Sequence, residues 1–490
     1  MTRQVRRVAA VLFLLFGALF VNLNYLQVLR ADNLSNDNRN SRTIIAEYSI
    51  RRGSIVAEQG RDTVVLAESV ATDGDRFKYR RRYPEPELYA HVTGFYSLVY
   101  GRTGLEDTAN GFLVGDAPEQ FARNVGDLLT GREPEGDDVV VTLRPEVQRA
   151  AREALGDRVG AVVALEPQTG AVLALWANPS YDPNRLATFD RDRAVRYWER
   201  SENERRSRAL RETYPPGSTF KVVTAAAALE DGIDPDDTFD DPSSYTPPQT
   251  TAAIPNFGGG LCNGGSPITL ARAFEVSCNT TFAQLGVDVG ADLLVEQAEA
   301  FGFNETFDLD LPMAASAIPA DLDPPSTAQS AIGQRDVRAT PLQMAMVSAA
   351  VANDGVLMRP HVITRVEDFA GRVVRETTPS MLVLDGQDDA RAVSRETAAA
   401  LQDMMRGVVT NGSGGAAAVP GVEVAGKTGT AQTAEGANPT VWFTGFAPFE
   451  DPQVAVAVVV PDGGDVGSEA TGGAVAAPIA SAVIDAAVGE

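Results

Sequence analysis

The sequence has 490 residues, with 42 basic and 66 acidic side chains, a net charge of −24, two histidines and two cysteines. That length allows a short module plus one large domain, and the acidic balance argues against a general basic field for polyanions, so no nucleic-acid partner is expected. His91 and His361 lie far apart and near no cysteine pair, so the pattern predicts no metal site, no cofactor and no Ser-His-Asp triad.

Arg3, Arg6 and Arg7 precede an apolar run over 8–21, continued more weakly by Leu23, Tyr25, Leu26, Val28 and Leu29. As a helix, 8–29 would reach roughly 33 Å, enough to cross the hydrocarbon layer of a membrane. Asn22-Leu23-Asn24-Tyr25 offers no small-residue cleavage site, so a single-pass, uncleaved anchor is predicted rather than a signal peptide. Positive residues ahead of the span keep the tail inside and send everything after Arg30 out of the cytoplasm, leaving no cytoplasmic signalling domain.

The sequence divides into a tail and anchor at 1–30, a β-rich module at 31–138 and a large domain at 139–490. Residues 31–42 are polar and aperiodic, as a stalk would be. Short strand-like pieces follow at 43–50, 54–57, 63–67 and 89–100. The stretch Arg76-Phe77-Lys78-Tyr79-Arg80-Arg81-Arg82-Tyr83 alternates like a solvated strand, although its charge could also hold anionic lipid or wall polymer.

From 139 the pattern becomes mixed. A strand at 139–143 is followed by a helix at Pro145–Leu155, with proline near its start. Gly160–Leu165 and 171–177 flank Glu166-Pro167-Gln168-Thr169-Gly170 as a hairpin, and 441–447 with Val454–Val460 forms another far downstream. Helical patterns such as 341–353 and Arg395–Thr410 lie between them. Strands at both ends with helices between predict an α+β domain whose antiparallel sheet is assembled from distant segments and covered by helices.

The chemistry is carried by rare lysines. Only Lys78, Lys221 and Lys427 break a set of arginines (42 − 3 = 39). Arginine stays protonated, whereas a desolvated lysine can lose its proton and act as a base. Ser218 precedes Lys221 by three residues at the head of an apolar helical run ending near Gly232, which puts amine and hydroxyl on one face. Burial should lower the pKa of that amine, and the helix N-terminus adds free N–H groups beside the hydroxyl. Lys427 opens Lys427-Thr428-Gly429-Thr430, a strand-like tract whose glycine permits another backbone to approach and whose edge could pair with a peptide.

S-x-x-K and K-T-G, with Ser277-Cys278-Asn279 between them, form the motif set of serine β-lactamases and penicillin-binding proteins. The chain resembles the class B penicillin-binding proteins, most closely the penicillin-binding protein A group of actinobacteria. The likeness rests on Arg52-Gly53-Ser54-Ile55, Thr103-Gly104-Leu105-Glu106, Tyr214 to Lys221, Ile332-Gly333-Gln334, Ala339 to Ala345 and Trp442-Phe443-Thr444-Gly445.

The resemblance implies a D,D-transpeptidase that cross-links peptidoglycan stem peptides outside the membrane and is acylated by β-lactams. By the same likeness Ser218 would be the nucleophile, Lys221 its base, and Ser277 a proton relay to the leaving D-alanine. Asn279 would hold the substrate amide and Lys427 would set the local field. Thr428 and Thr430 would bind the terminal carboxylate beside Gly429, with the N–H groups of Ser218 and Thr430 as oxyanion hole. Losing one such donor typically costs about 3 to 4 kcal/mol. Cys278 departs from the S-D-N form found in β-lactamases, which makes the relay role of Ser277 the weakest of these assignments.

Cys262 and Cys278, on the oxidising side of the membrane, could form a disulfide behind the site, worth roughly 3 kcal/mol in the chain-entropy model. Two small buried thiols are the alternative. A D,D-carboxypeptidase, a β-lactamase, and a non-enzymatic β-lactam sensor or division scaffold share parts of the pattern. The region before 139 looks too short for a glycosyltransferase module, so the expected partners include a separate glycan polymerase and proteins of division or elongation.

Overall fold

The structure is a computed structural model and describes residues 2–30, 47–73, 77–120, 135–307, 309–384, 389–432 and 436–489. The stalk at 31–42, Arg76 and the first part of the strand expected at 43–50 lie outside them. Helix α1 (Thr2–Asn24) continues through a wider turn to Leu29. Among the described residues it is the helix long and apolar enough to cross a membrane, with none of its apolar window buried by the rest of the chain.

The first sheet contains β1 (Ile55–Gln59), β2 (Asp62–Ala71) and β3 (Tyr79–Arg82). Next to it lies α2 (Pro86–Thr93), where the sequence pattern predicts a strand over 89–100. Pro86 sits in the first turn and every residue from Leu88 to Thr93 is buried, so neither the two-residue nor the helical period is visible in this run. Only Tyr96–Ser97 is extended there. Glu47–Ile50 likewise forms a turn rather than a strand; Glu47 accepts from Arg102 Nη1 at 2.8 Å.

Strand β4 (Asp138–Val141) leads into α3 (Pro145–Leu155) and then the hairpin β5 (Gly160–Leu165) and β6 (Val172–Asn178). Helix α4 (Arg191–Arg200) and helix α5 (Lys221–Glu230) follow, then α6 (Leu270–Glu275), α7 (Asn279–Val289) and α8 (Pro341–Ala352). A second hairpin, β7 (Ile363–Glu367) and β8 (Val373–Glu376), precedes α9 (Arg395–Thr410). The chain closes with β9 (Ala425–Ala431), β10 (Thr440–Ala447), β11 (Val454–Val460) and α10 (Ala477–Val488).

Two sheets organise these elements. The first is six-stranded in the order β8-β7-β4-β1-β2-β3, so a hairpin from 363–376 completes the sheet begun near residue 55. The second is antiparallel and five-stranded in the order β9-β10-β11-β5-β6. Every residue of β10 and β11 is buried, which explains why they read as continuous apolar runs instead of alternating. Helix α8 packs on β10, β11 and β5, while α3 and α10 pack on each other and on β6 and β11. The sheet is thus the middle of three layers, with β9 left as an edge strand.

Candidate active site

Ser218 is placed by contacts that converge from three distant segments. Tyr214 and Ala339 exchange backbone hydrogen bonds of 2.9 and 2.8 Å. Trp442 Nε1 on β10 donates to the Pro215 carbonyl at 2.9 Å, and Gly217 N donates to the Gly333 carbonyl at 2.9 Å. A tight turn over Gly217–Phe220 then feeds α5. Glycine is needed on both sides of this turn. A Cβ on Gly333, which has φ 71°, would lie 2.0 Å from Gly217 O, and one on Gly429 would lie 2.8 Å from Pro216 O. Ser218 therefore sits, half-exposed, against the edge strand β9.

The two lysines face each other across Ser277. Lys221 Nζ donates to the Ser277 carbonyl and to Asn279 Oδ1, each at 2.8 Å, with Ser277 Oγ at 3.4 Å. Lys427 Nζ donates to Ser277 Oγ at 2.9 Å and to the Thr428 carbonyl at 3.1 Å. Both lysines are 0 % exposed, and neither has a carboxylate partner among the described residues. The rings of Phe282 and Phe274 lie 5.4 and 5.5 Å from the two amines.

An ammonium here has lost its water without gaining a counter-ion. Burial, and then the neighbouring Lys427, push Lys221 well below the ordinary lysine range. Burial alone brings Lys427 down to about 7. Among the described residues no hydrogen bond joins Ser218 Oγ to Lys221 Nζ; the amine lies on the Ser277 side of the serine turn.

Ser277 has φ 61°, a left-handed conformation that costs a non-glycine residue about 1–3 kcal/mol. It turns the chain between α6 and α7, and Asn256 holds the first turn of α7. Asn256 Oδ1 accepts from Asn279 N at 3.1 Å and Thr280 N at 3.0 Å, capping α7 from outside the helix. Its amide donates to the carbonyls of Pro242 and Gly260.

Cys262 and Cys278 are joined as a disulfide, with Cα atoms 5.8 Å apart. Asp241 accepts from the N–H groups of Cys262, Asn263 and Gly265 at 2.8, 2.6 and 2.9 Å. Burial would raise that carboxyl, but the three donors outweigh it and lower it. Asp241 and the two sulfurs are close together, yet they form no metal site, because the sulfurs are bonded to each other and the carboxylate is occupied.

A cavity of about 260 Å³ opens at these groups, lined by Ser218, Ser277, Asn279, Thr428 and Thr430. The fold also brings Phe257, Ser413 and the Thr471–Gly473 segment to its wall, none of which the sequence pattern singles out. Ser413 Oγ pairs with Thr428 Oγ1 at 2.6 Å, and Gly472 N donates to Thr430 Oγ1 at 3.3 Å. Local spacing carries no sign of these residues, since each reaches the site through tertiary packing. Larger cavities occur elsewhere, but among the described residues no lysine lines them.

A half-exposed serine, Ser218, on a turn against a sheet edge able to take an extended peptide, with two buried amines of lowered pKa meeting at the neighbouring Ser277, is an arrangement suited to acyl transfer on a helix-covered antiparallel sheet. The family model described as Penicillin binding protein transpeptidase domain matches residues 160–485, and the chain belongs to that family. A second model, Penicillin binding protein A dimerisation domain, matches residues 52–139.

The chain is 44% identical to the peptidoglycan D,D-transpeptidase PbpA of Mycolicibacterium smegmatis, with 100% of each chain covered. It is 41% identical to the protein of the same name from Mycobacterium tuberculosis, covering 100% of this chain and 99% of that one. The solved ceftriaxone acyl-enzyme complex of penicillin-binding protein A from M. tuberculosis superposes with a TM-score of 0.85 at 41% identity, covering 91% of this chain and 100% of that one.

Proposed function

We propose that Ser218 is the acylated nucleophile of a serine-type D,D-transpeptidase acting on peptidoglycan stem peptides, with Lys221 as its base. The observation that carries this reading is the pair of buried lysines meeting at Ser277 with, among the described residues, no carboxylate to hold their charge. A neutral Lys221 takes the Ser218 proton as Oγ attacks the carbonyl of the penultimate D-alanine. The bond to the terminal D-alanine breaks, and its nitrogen receives a proton relayed through Ser277. An amine from a second stem then attacks the ester, forms the cross-link and returns the serine.

Asn279 is suited to the stem amide. Thr428 and Thr430 are suited to the terminal carboxylate, with Gly429 keeping the strand close to the serine turn. The N–H groups of Ser218 and Thr430 are assigned to the carbonyl oxygen as it becomes negative. Lys427, when protonated, supplies positive potential to the carboxylate. Cys262 and Cys278 restrain the loop that carries Ser277. A β-lactam acylates the same serine.

Arg3, Arg6 and Arg7 in the first turns of α1, ahead of its apolar run, support a single-pass anchor with the catalytic part outside the cytoplasmic membrane. We assign residues 31–138 to a module between anchor and catalytic domain, and we expect a separate glycosyltransferase and division or elongation proteins as partners. The test is mass spectrometry of the full chain incubated with a penicillin. A long-lived adduct mapping to Ser218, absent in Ser218→Ala, is expected. Fast loss of the adduct with continuing hydrolysis of the drug would sink the transpeptidase reading in favour of a β-lactamase.

A further inference from the structure

A second cavity, of about 860 Å³, lies away from Ser218, between the edge strand β3 and helix α4. Its wall includes Arg80, Arg81 and Arg82 from one side and Arg185, Arg193, Arg196 and Arg200 from the other, and among the described residues no carboxylate lines it. In a chain with a net charge of −24, six arginines whose side chains are not taken into the core surround one opening and make a local concentration of positive charge. The arrangement follows from two periodicities. On β3, Arg80 and Arg82 are exposed while Arg81 turns into the core and pairs with Glu106. On α4, Arg193, Arg196, Tyr197 and Arg200 fall at i, i+3, i+4 and i+7 and share the cavity face, so Asp192 and Glu199 lie off it.

Some of these charges are partly answered from outside the cavity. Arg82 meets Glu68, Arg185 lies 3.4 Å from Asp182, and Arg193 lies 3.5 Å from Asp190. Arg80, Arg196 and Arg200 have no ion pair among the described residues, and Arg200 stacks over Tyr197. Guanidinium groups held together without carboxylates repel one another, and phosphate is the anion whose geometry they match in a bidentate way.

The position indicates the source of that phosphate. The module's first described residues lie on this face: Tyr48 packs 5.4 Å from both Phe77 and Phe189, and Phe189 adjoins Thr188 of the cavity wall. Only the sixteen residues 31–46 separate this point from the end of the anchor, a tether of at most about 55 Å when fully extended. We propose that the arginine cavity between β3 and α4 binds phosphate headgroups of anionic lipid in the membrane that holds α1, and so orients the module against the bilayer. This rests on the anchor reading and is independent of the chemistry at Ser218.

The full chain in nanodiscs of phosphatidylcholine, with and without phosphatidylglycerol, provides the test by amide hydrogen exchange. Phosphatidylglycerol should slow exchange over Tyr79–Arg82 and Arg191–Arg200 by roughly threefold or more, and added salt should reverse it. The triple change Arg193→Gln, Arg196→Gln, Arg200→Gln should abolish the slowing. Arg80→Gln on the opposite wall, combined with Arg185→Gln, serves if that variant does not fold. Penicillin acylation of Ser218 should be unchanged throughout and reports an intact catalytic domain.

Equal exchange in the two discs, or protection that survives the substitutions, would overturn the proposal. So would protection by soluble polyphosphate in phosphatidylcholine discs without any from phosphatidylglycerol, which would assign the cavity to a soluble phosphate polymer instead.

Discussion

Two buried clusters of charge in this chain have opposite outcomes. In the first sheet, Glu106 is fully buried between Arg52 and Arg81, with Nε to carboxylate distances of 2.6 and 2.5 Å, and Tyr83 Oη adds a bond at 3.2 Å. Burial would raise that carboxyl, but Arg81 and Arg52 outweigh it and hold it below the usual range. At Ser277 two amines are buried just as deeply with only neutral oxygens around them, and both fall in pKa. The difference lies in the partners. A buried charge with a counter-ion is kept and becomes structure; a buried charge without one is shed and becomes reactivity.

The comparison can be broken by exchanging the two behaviours. Lys221→Arg puts a permanently charged group where a neutral base is needed, and Lys221→Met removes the base altogether. Both should slow acylation of Ser218 by a fluorescent penicillin by about 10³-fold or more per folded molecule. An arginine variant within tenfold of the parent would remove the base role. In the other cluster, Glu106→Gln leaves two buried guanidinium groups unneutralised. It should cost about 3–5 kcal/mol in denaturant unfolding, while whatever remains folded acylates at the parental rate.

The pH response sharpens the contrast. Lys427 binds its proton up to about 10.5 when unfolded and only up to about 7 when folded. Between those values the unfolded state carries more protons, so stability rises with pH and this contribution is most unfavourable below about 7. Lys427→Met should remove the rise. Its stability relative to the parent should therefore decline by up to about 1.4 kcal/mol for each pH unit above 7, as read from paired denaturation curves. Acylation should show the same ionisation with the opposite sign, falling on the alkaline side as Lys427 loses its charge.

The smallest effect concerns placement. Asn256→Ala leaves Asn279 N and Thr280 N without their acceptor, and should cost about 1–2 kcal/mol with a loss of roughly tenfold in acylation. Parental acylation would separate Asn256 from the site.

The sequence made the chemistry legible because lysine is so rare in it. Ser218 and Lys221 are linked by helical spacing, and Lys427 by its strand-like tract, so each could be read from its own neighbourhood. Asn256 could not, because its role depends on a loop returning to the start of α7. Trp442 stood out as part of a family-like stretch, but its bond to Pro215 spans more than two hundred residues of chain.

The fold was legible to a similar degree. Runs such as Val454–Val460 announced buried strands, whereas the union of β7 and β8 with the first sheet depends on pairing between remote segments that no local pattern encodes. At 86–93 complete burial erased the helical period and left aromatic and β-branched residues that read as strand.

The rarity of lysine also supplies the most direct measurement. Labelling lysine with ¹⁵N gives only three side-chain amines to follow, those of Lys78, Lys221 and Lys427. Following the Nζ resonances of the full chain through a pH titration should show Lys427 releasing its proton near 7, and Lys221 already neutral well below the ordinary lysine range. Two amines that remain charged to pH 10 would contradict the account, because the site would then hold a pair of buried cations and no base for Ser218.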